Sequence, residues 1–321
     1  LPMWVADMDF ATPDFIREAV ILRAKHPVYG YTFRDQHFFE SIMNWMQERH
    51  NWEIPKNHLC FSPGIVPALN VSMLAFTNPG DKVIVQPPVY FPFFSAVNDH
   101  NRVILHNQLI NNNGYYTIDF EDFEKKAKEA RLFILCHPHN PVGRLWKWEE
   151  LEKIVDICKR YNVIIISDEI HSDLILTDRR HIPILHVPGA DNITISCYAP
   201  SKTFNLAGMA TSFLVIPDKD LRSKYEKMLN ALHIGMGNLF GSIALQAAYD
   251  NGKEWLEELI LYLKKNLEFL EVYFQQNIPE IKVTRTEATY LIWLDFRSLG
   301  LGKEELKEFI IEEAEIGFND G

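Results

Sequence analysis

Four stretches of the chain carry residue types that could do chemistry together. Lys202 lies in Ala199-Pro200-Ser201-Lys202-Thr203-Phe204-Asn205-Leu206-Ala207-Gly208, just after the apolar run 193–197. Burial at a strand end would lower its pKa toward the range in which an amine forms a Schiff base with a carbonyl. Asp168 emerges directly from the apolar run 162–167. A carboxylate there is costly without a cationic partner. It reads either as a helix N-cap or salt bridge, or as counter-ion to a buried cation such as a protonated pyridine nitrogen. Ser62-Pro63-Gly64-Ile65-Val66-Pro67-Ala68 leads into a helix. A glycine at a helix start lets backbone N–H groups approach an anion that the helix dipole favours, although the same residues also make an ordinary entry turn. His139-Asn140-Pro141-Val142-Gly143 is a turn signal after the run 131–136 and brings an amide donor to a strand end. An anion cradle, an imine-forming lysine, a carboxylate for a ring nitrogen and an amide donor are together the set that pyridoxal 5′-phosphate (PLP) requires.

Such residues act only where a scaffold gathers them. The stretches 82–86, 102–106, 131–136, 162–167, 193–197 and 211–216 are short, nearly continuous apolar runs rich in β-branched residues. They predict strands buried on both faces of a parallel sheet. Helices are expected between them at 64–77, 91–99, 119–130 and 148–160. The alternation predicts a doubly wound α/β domain over 46–250, with functional residues at the carboxyl ends of its strands. Thr12 reads as N-cap and Pro13 as the first turn of a helix at 13–25. A second helix fits 35–49, with Phe38, Phe39, Ile42, Met43 and Met46 on one face. Beyond 250 a helix at 253–277, strands at 281–285 and 289–294 and an acidic helix at 303–315 are expected. Residues 1–45 and 251–321 then form one smaller α+β domain built from both termini.

Composition excludes several classes. The 321 residues suit two domains of about 150 each. Thirty-two basic and 43 acidic side chains leave a net charge of −11, which repels phosphate backbones and argues against nucleic acid. The longest apolar run, about five residues, is far short of the ~18 that span a membrane. Cys60, Cys136, Cys158 and Cys197 show no CxxC spacing and read as buried reduced thiols, which fits a cytoplasmic protein. None of the 12 histidines has a metal-ligand spacing, so no metal is expected, and most are expected at the surface or in loops. HExxH and GxxxxGK[ST] are absent. Gly235-Met236-Gly237-Asn238-Leu239-Phe240 carries Phe where a dinucleotide loop needs glycine, and SxxK fails at Ala199.

In chain order, SPGIVPA, PPVYFPF, HPHNPVGR, SDEIHSD and APSKTFNLAG resemble the fold-type-I PLP enzymes of the class I/II aminotransferase superfamily. The opening LPMWVADMDFATP, the YGYT at 29–32 and the SKTFN form are similar to the MalY/PatB group of cystathionine β-lyases, or C–S lyases. The resemblance spans essentially the whole chain. It implies that Lys202 holds the cofactor as a Schiff base and moves the substrate α-proton, and that Asp168 keeps the pyridine nitrogen protonated. It further implies that Asn140 donates to the cofactor phenolic oxygen and that Tyr90 stacks on the ring. Gly64 and Ile65 would cradle the phosphate with backbone amides, aided by the Ser201 hydroxyl. Tyr31 would reach the phosphate of the neighbouring subunit, making a homodimer with shared sites. His171 stands where aminotransferases commonly carry Tyr, and reads equally as a structural histidine. An Arg for the substrate carboxylate is expected beyond Gly321. Ala210 occupies the place, eight residues after the lysine, where many aminotransferases carry a phosphate-binding Arg. The implied activity is cleavage of cystathionine or a related cysteine S-conjugate to thiol, pyruvate and ammonia. The alternatives are an aminotransferase on the same scaffold and a PLP-fold protein acting as a regulatory partner.

Overall fold

Six of the seven strands of the central sheet run in one direction. The computed structural model describes residues 1–319. The strands are β1 (Leu59–Ser62), β2 (Lys82–Val85), β3 (Val103–His106), β4 (Ala130–Cys136), β5 (Ile164–Asp168), β6 (Thr194–Tyr198) and β7 (Ser212–Val215). Their order across the sheet is β1-β7-β6-β5-β4-β2-β3, and β7 alone is antiparallel to its neighbours. The carboxyl ends of the other six therefore lie along one edge.

The apolar runs form strands because both faces are covered. In β4, Leu132, Ile134 and Cys136 enter the core under α3 (Ile65–Phe76), α4 (Pro92–Asn98) and α7 (Lys219–Ala231). The intervening Phe133 and Leu135 enter the core under α5 (Phe120–Ala127) and α6 (Trp148–Arg160). That division is the period-2 alternation of a strand. A third core lies over β1 and β7. There Ile16 of α1 (Asp14–Ala24) and Phe38, Ile42, Trp45 and Met46 of α2 (Gln36–His50) pack with α8 (Leu239–Asn251) and with Leu256 and Leu259 of α9 (Lys253–Asn277). The Asp35 side chain caps α2 by accepting from the Phe38 N–H at 3.0 Å, worth about 1 kcal/mol.

Several expectations are adjusted. Pro13, not Thr12, is the N-cap of α1, because the Thr12 hydroxyl donates instead to the Asn205 carbonyl at 3.3 Å. The C-terminal strands shorten to the pair 282–283 and 294–295. The acidic helix is α10 (Lys303–Glu308), continued by a π-turn over 309–313. Asp320 and Gly321, the end of the expected small domain, lie outside the described residues. His137, His139, His171 and His181 are buried rather than superficial, because strand ends and the 137–144 turn close over them. All four cysteines are free and buried. Among the described residues no helix is long and apolar enough to cross a membrane.

Candidate active site

The residues singled out for PLP chemistry gather along the shared carboxyl edge. Asp168 is the last residue of β5, in register with Cys136 of β4 on one side and Cys197 of β6 on the other. Asn140 follows β4 by four residues, Lys202 follows β6 by four, and Tyr90 follows β2 by five. Gly64 and Ile65 join β1 to α3. Five parallel strands thus deliver five parts of one site.

The turns that carry them are tied together. The Tyr90 N–H donates to the Asn140 carbonyl at 3.2 Å, and the Asn140 N–H donates to Cys136 Sγ at 3.2 Å. Gly143 takes φ +66° in the same turn, and a Cβ there would lie 2.8 Å from Thr286 Cγ2. Its carbonyl accepts from the N–H groups of Glu287 and Ala288, at 2.8 and 3.1 Å. Glycine is required where the Asn140 turn docks so closely on the C-terminal segment. Beneath it, buried Arg144 is held by Glu150 at 2.9 Å and Glu287 at 2.5 Å.

The electrostatics are those of a site prepared for a charged ligand. Asp168 is buried and accepts one hydrogen bond, from the Ile170 N–H at 3.1 Å. Burial pushes its pKa up to about 7, although the Ile170 N–H and the Lys202 charge pull downward. Burial lowers the Lys202 amine below its ordinary value, opposed by the charges of Asp7 and Asp168. Its Nζ donates to the Ala6 carbonyl at 2.8 Å. His171 is pushed down to about 3 by burial and by the Lys202 charge, so it is neutral. Its buried Nδ1 has no partner among the described residues, and its ring meets that of Tyr290 edge-on at 6.1 Å. Burial and then Asp168 raise the Tyr90 phenol. Gly64 is the N-cap of α3 and offers no capping side chain, while Ser62 Oγ donates to the Gly64 carbonyl at 2.9 Å. The α3 amides are thereby left to an anion.

These observations fit PLP. A buried carboxylate lacking an ion-pair partner suits a protonated ring nitrogen. An unpartnered imidazole suits a polar ring substituent, and an uncapped helix start suits a phosphate. Ser201 is half-buried beside Lys202. Tyr31 is not drawn into this group, being 91% exposed in a segment with Tyr29 and Phe33, both also exposed.

Sequence reasoning missed the partners of Lys202. The Ala6 carbonyl accepts from its amine and also from Tyr290 Oη, the Asp7 charge acts on it, and Asn205 ties the N-terminal segment to the lysine loop. The only signal was the joint presence of MWVADMDF and SKTFN, which carried no role for these residues. It also missed the carboxylate next to Asp168, Glu169, which is fully enclosed.

Known proteins share the family and the fold. Residues 4–318 match the family Aminotransferase class I and II. The chain is 45% identical over 325 aligned positions to cystathionine β-lyase PatB of Bacillus subtilis, covering 100% of this chain and 84% of that one. Among solved structures it resembles PLP-containing cystalysin of Treponema denticola with TM-score 0.95 and 38% identity, covering 100% of this chain and 82% of that one. The PLP-bound C–S lyase of Staphylococcus hominis matches with TM-score 0.92 and 34% identity, over 98% of this chain and 81% of that one.

Proposed function

The chain belongs to the class I and II aminotransferase family, and from that membership we propose that it is a PLP-dependent carbon–sulfur β-lyase. Its substrate is cystathionine or a related cysteine S-conjugate. The observation that carries the reading is a buried Asp168 carboxylate left without an ion-pair partner one strand away from the Lys202 loop, in a chain 45% identical throughout to a cystathionine β-lyase.

When bound, PLP supplies a carbonyl that condenses with amines and a ring that withdraws electrons from the substrate α-carbon. The protein's own residues do the rest. Lys202 would anchor the cofactor, and its free amine would take the substrate α-proton as general base. Partial burial lowers its pKa, against the opposing charges of Asp7 and Asp168. Asp168 holds the ring nitrogen protonated, and that cation in turn satisfies the carboxylate. Asn140 and His171 address the ring substituent, and Tyr90 covers the ring face. Gly64, Ile65 and Ser201 take the phosphate. The β-carbon–sulfur bond breaks and the thiolate leaves, taking up a proton. The remaining three-carbon fragment consumes one water and departs as pyruvate and ammonia.

The same reading divides the chain into a cofactor domain over 46–250 and a smaller domain from 1–45 and 251–321. It makes the protein a cytoplasmic homodimer in which Tyr31 serves the neighbouring site. The exposure of Tyr29, Tyr31 and Phe33 supports that assembly, since three exposed aromatics within five residues suit an interface.

The direct test incubates the full-length protein with PLP and L-cystathionine and measures pyruvate and free thiol. The expected result is one of each per substrate consumed. No pyruvate from cystathionine, cystine or djenkolate overturns the reading, and amino transfer dependent on a 2-oxo acid would replace it with a transaminase. Tyr31→Ala should weaken PLP binding in the dimer, read by spectroscopic titration.

A further inference from the structure

We propose that residues 6–10 form a strap that orients the Lys202 amine through the Ala6 carbonyl, and that Asn205 and Tyr290 are the positioning residues that hold it. The proposal rests on the lyase reading for its chemistry but on separate contacts for its geometry. A carbonyl oxygen has two lone pairs. At Ala6 one receives Lys202 Nζ at 2.8 Å and the other receives Tyr290 Oη at 2.7 Å. The acceptor that the lysine uses is therefore fixed by a side chain from the C-terminal segment, 284 positions away.

The strap is also paired to the loop that carries the lysine. Asn205, three residues after Lys202, sits in the left-handed region at φ 58°. Its Oδ1 accepts from the Met8 N–H at 3.1 Å, and its Nδ2 donates to the Met8 carbonyl at 2.9 Å and the Phe10 carbonyl at 3.0 Å. A side-chain amide thus imitates a strand neighbour, giving and receiving at once. The Thr12 hydroxyl closes the series on the Asn205 carbonyl. Asp7 lies between these contacts, and its charge acts on both Lys202 and Tyr290. This arrangement accounts for the two motifs that the cofactor roles leave unexplained, the opening MWVADMDF and the Asn of SKTFN.

The chemical consequence follows from the donor and acceptor inventory. A general-base amine must aim its lone pair at one proton. A carbonyl can only accept, so it holds the amine by an N–H and leaves the lone pair free. It also favours the ammonium form, so it supports the amine after proton uptake. A hydroxyl in the same place could donate into the lone pair and block it.

The test compares Tyr290→Phe, which removes one hydroxyl, and Asn205→Ala, which removes the strap pairing, with the full-length wild-type protein. With PLP and L-cystathionine, kcat should fall about 10- to 100-fold with little change in KM. The deuterium isotope effect at the substrate α-carbon should rise, because the mispositioned amine slows proton transfer. In the cofactor-free proteins, the rate at which an acylating reagent labels Lys202, read by mass spectrometry near pH 8, should rise severalfold as the amine loses an acceptor of its charged form. If both variants keep the wild-type isotope effect and labelling rate, the proposal is overturned, whatever happens to melting temperature. Should Asn205→Ala fail to fold, Tyr290→Phe decides alone. A wild-type protein that yields no pyruvate defeats the lyase reading instead, and the Lys202 labelling rates still decide the strap.

Discussion

Asp168 and Glu169 are consecutive, both are buried and both are carboxylates, yet their surroundings are opposite. Glu169 is saturated. It accepts from Ser196 Oγ, from Tyr198 Oη at 2.7 Å and from His181 Nε2 at 2.6 Å. His181 is held neutral by burial, so the contact is a neutral donor to the carboxylate. The His181 ring lies 4.5 Å from that of His137 and 5.6 Å from that of His50, and His50 Nε2 meets Asp173 Oδ1 at 3.0 Å. Asp168 has one backbone N–H and the charge of a lysine. Neighbouring positions along an extended chain face opposite sides. One side is closed by protein groups, and the other is left to a ligand. A buried polar group that the chain satisfies for itself is structural, whereas one that it leaves short of partners marks where something else belongs.

The largest effect expected from this contrast comes at the incomplete side. Lys202→Ala should abolish the visible absorbance of the bound cofactor and lower pyruvate formation by about 10³-fold or more, since it removes both anchor and general base. A chromophore that persists unchanged would show that another lysine holds the cofactor. Asp168→Asn comes next. It removes the counter-charge of the ring nitrogen and should cost about 10²- to 10³-fold in kcat/KM, in the range of a deleted electrostatic stabiliser. The melting temperature of the cofactor-free protein should not fall, because the lost carboxylate was poorly partnered there.

Glu169→Gln should reverse that pattern. It places an amide donor against groups that already donate, and buried unsatisfied groups cost about 1–3 kcal/mol. Denaturant unfolding should show that loss, while activity per folded molecule stays within a few-fold. An Asp168 variant that unfolds, or a Glu169 variant that folds normally but is inactive, would break the comparison.

Far more of the incomplete side than of the complete one could be read from the sequence. Asp168, Asn140 and Lys202 follow strongly apolar strands, and strand ends in an open parallel sheet converge on one edge whatever the loops do. Glu169 has no such signal, because its partners Ser196, Tyr198 and His181 come from β6 and a distant loop and only the fold assembles them. Its meaning was hidden within SDEIHSD by the residue before it. The strand β1 was missed because Leu59-Cys60-Phe61-Ser62 carries no β-branched residue and precedes a Pro-Gly turn. It owes its strand conformation to antiparallel pairing with β7, which is a tertiary effect. α7 and α8 were not delineated, although Leu221, Tyr225 and Leu229 recur at the helical spacing of four. Tyr225 and Leu229 in fact pack α7 onto the sheet, while Leu245 and Tyr249 pack α8 over β1 and β7.

The finest probe of the contrast is a slope of stability against pH. In the cofactor-free protein the Asp168 carboxyl is raised from its ordinary 3.8 to about 7. Between those values the folded protein keeps a proton that the unfolded chain has released. The unfolded chain then binds fewer protons, so stability falls as pH rises through this window, by at most about 1.4 kcal/mol per pH unit from this one group. Subtracting the Asp168→Asn profile isolates that contribution from the other titrating groups. The difference curve, from denaturant unfolding at several pH values, should be flat below the ordinary carboxyl value, decline toward neutrality and level off above it. PLP should flatten it, because the ring nitrogen's positive charge favours the carboxylate and brings its folded pKa back down. A difference curve without slope in the cofactor-free protein would mean that Asp168 has partners enough to offset its burial, and the contrast in partnering between the two carboxylates would be lost.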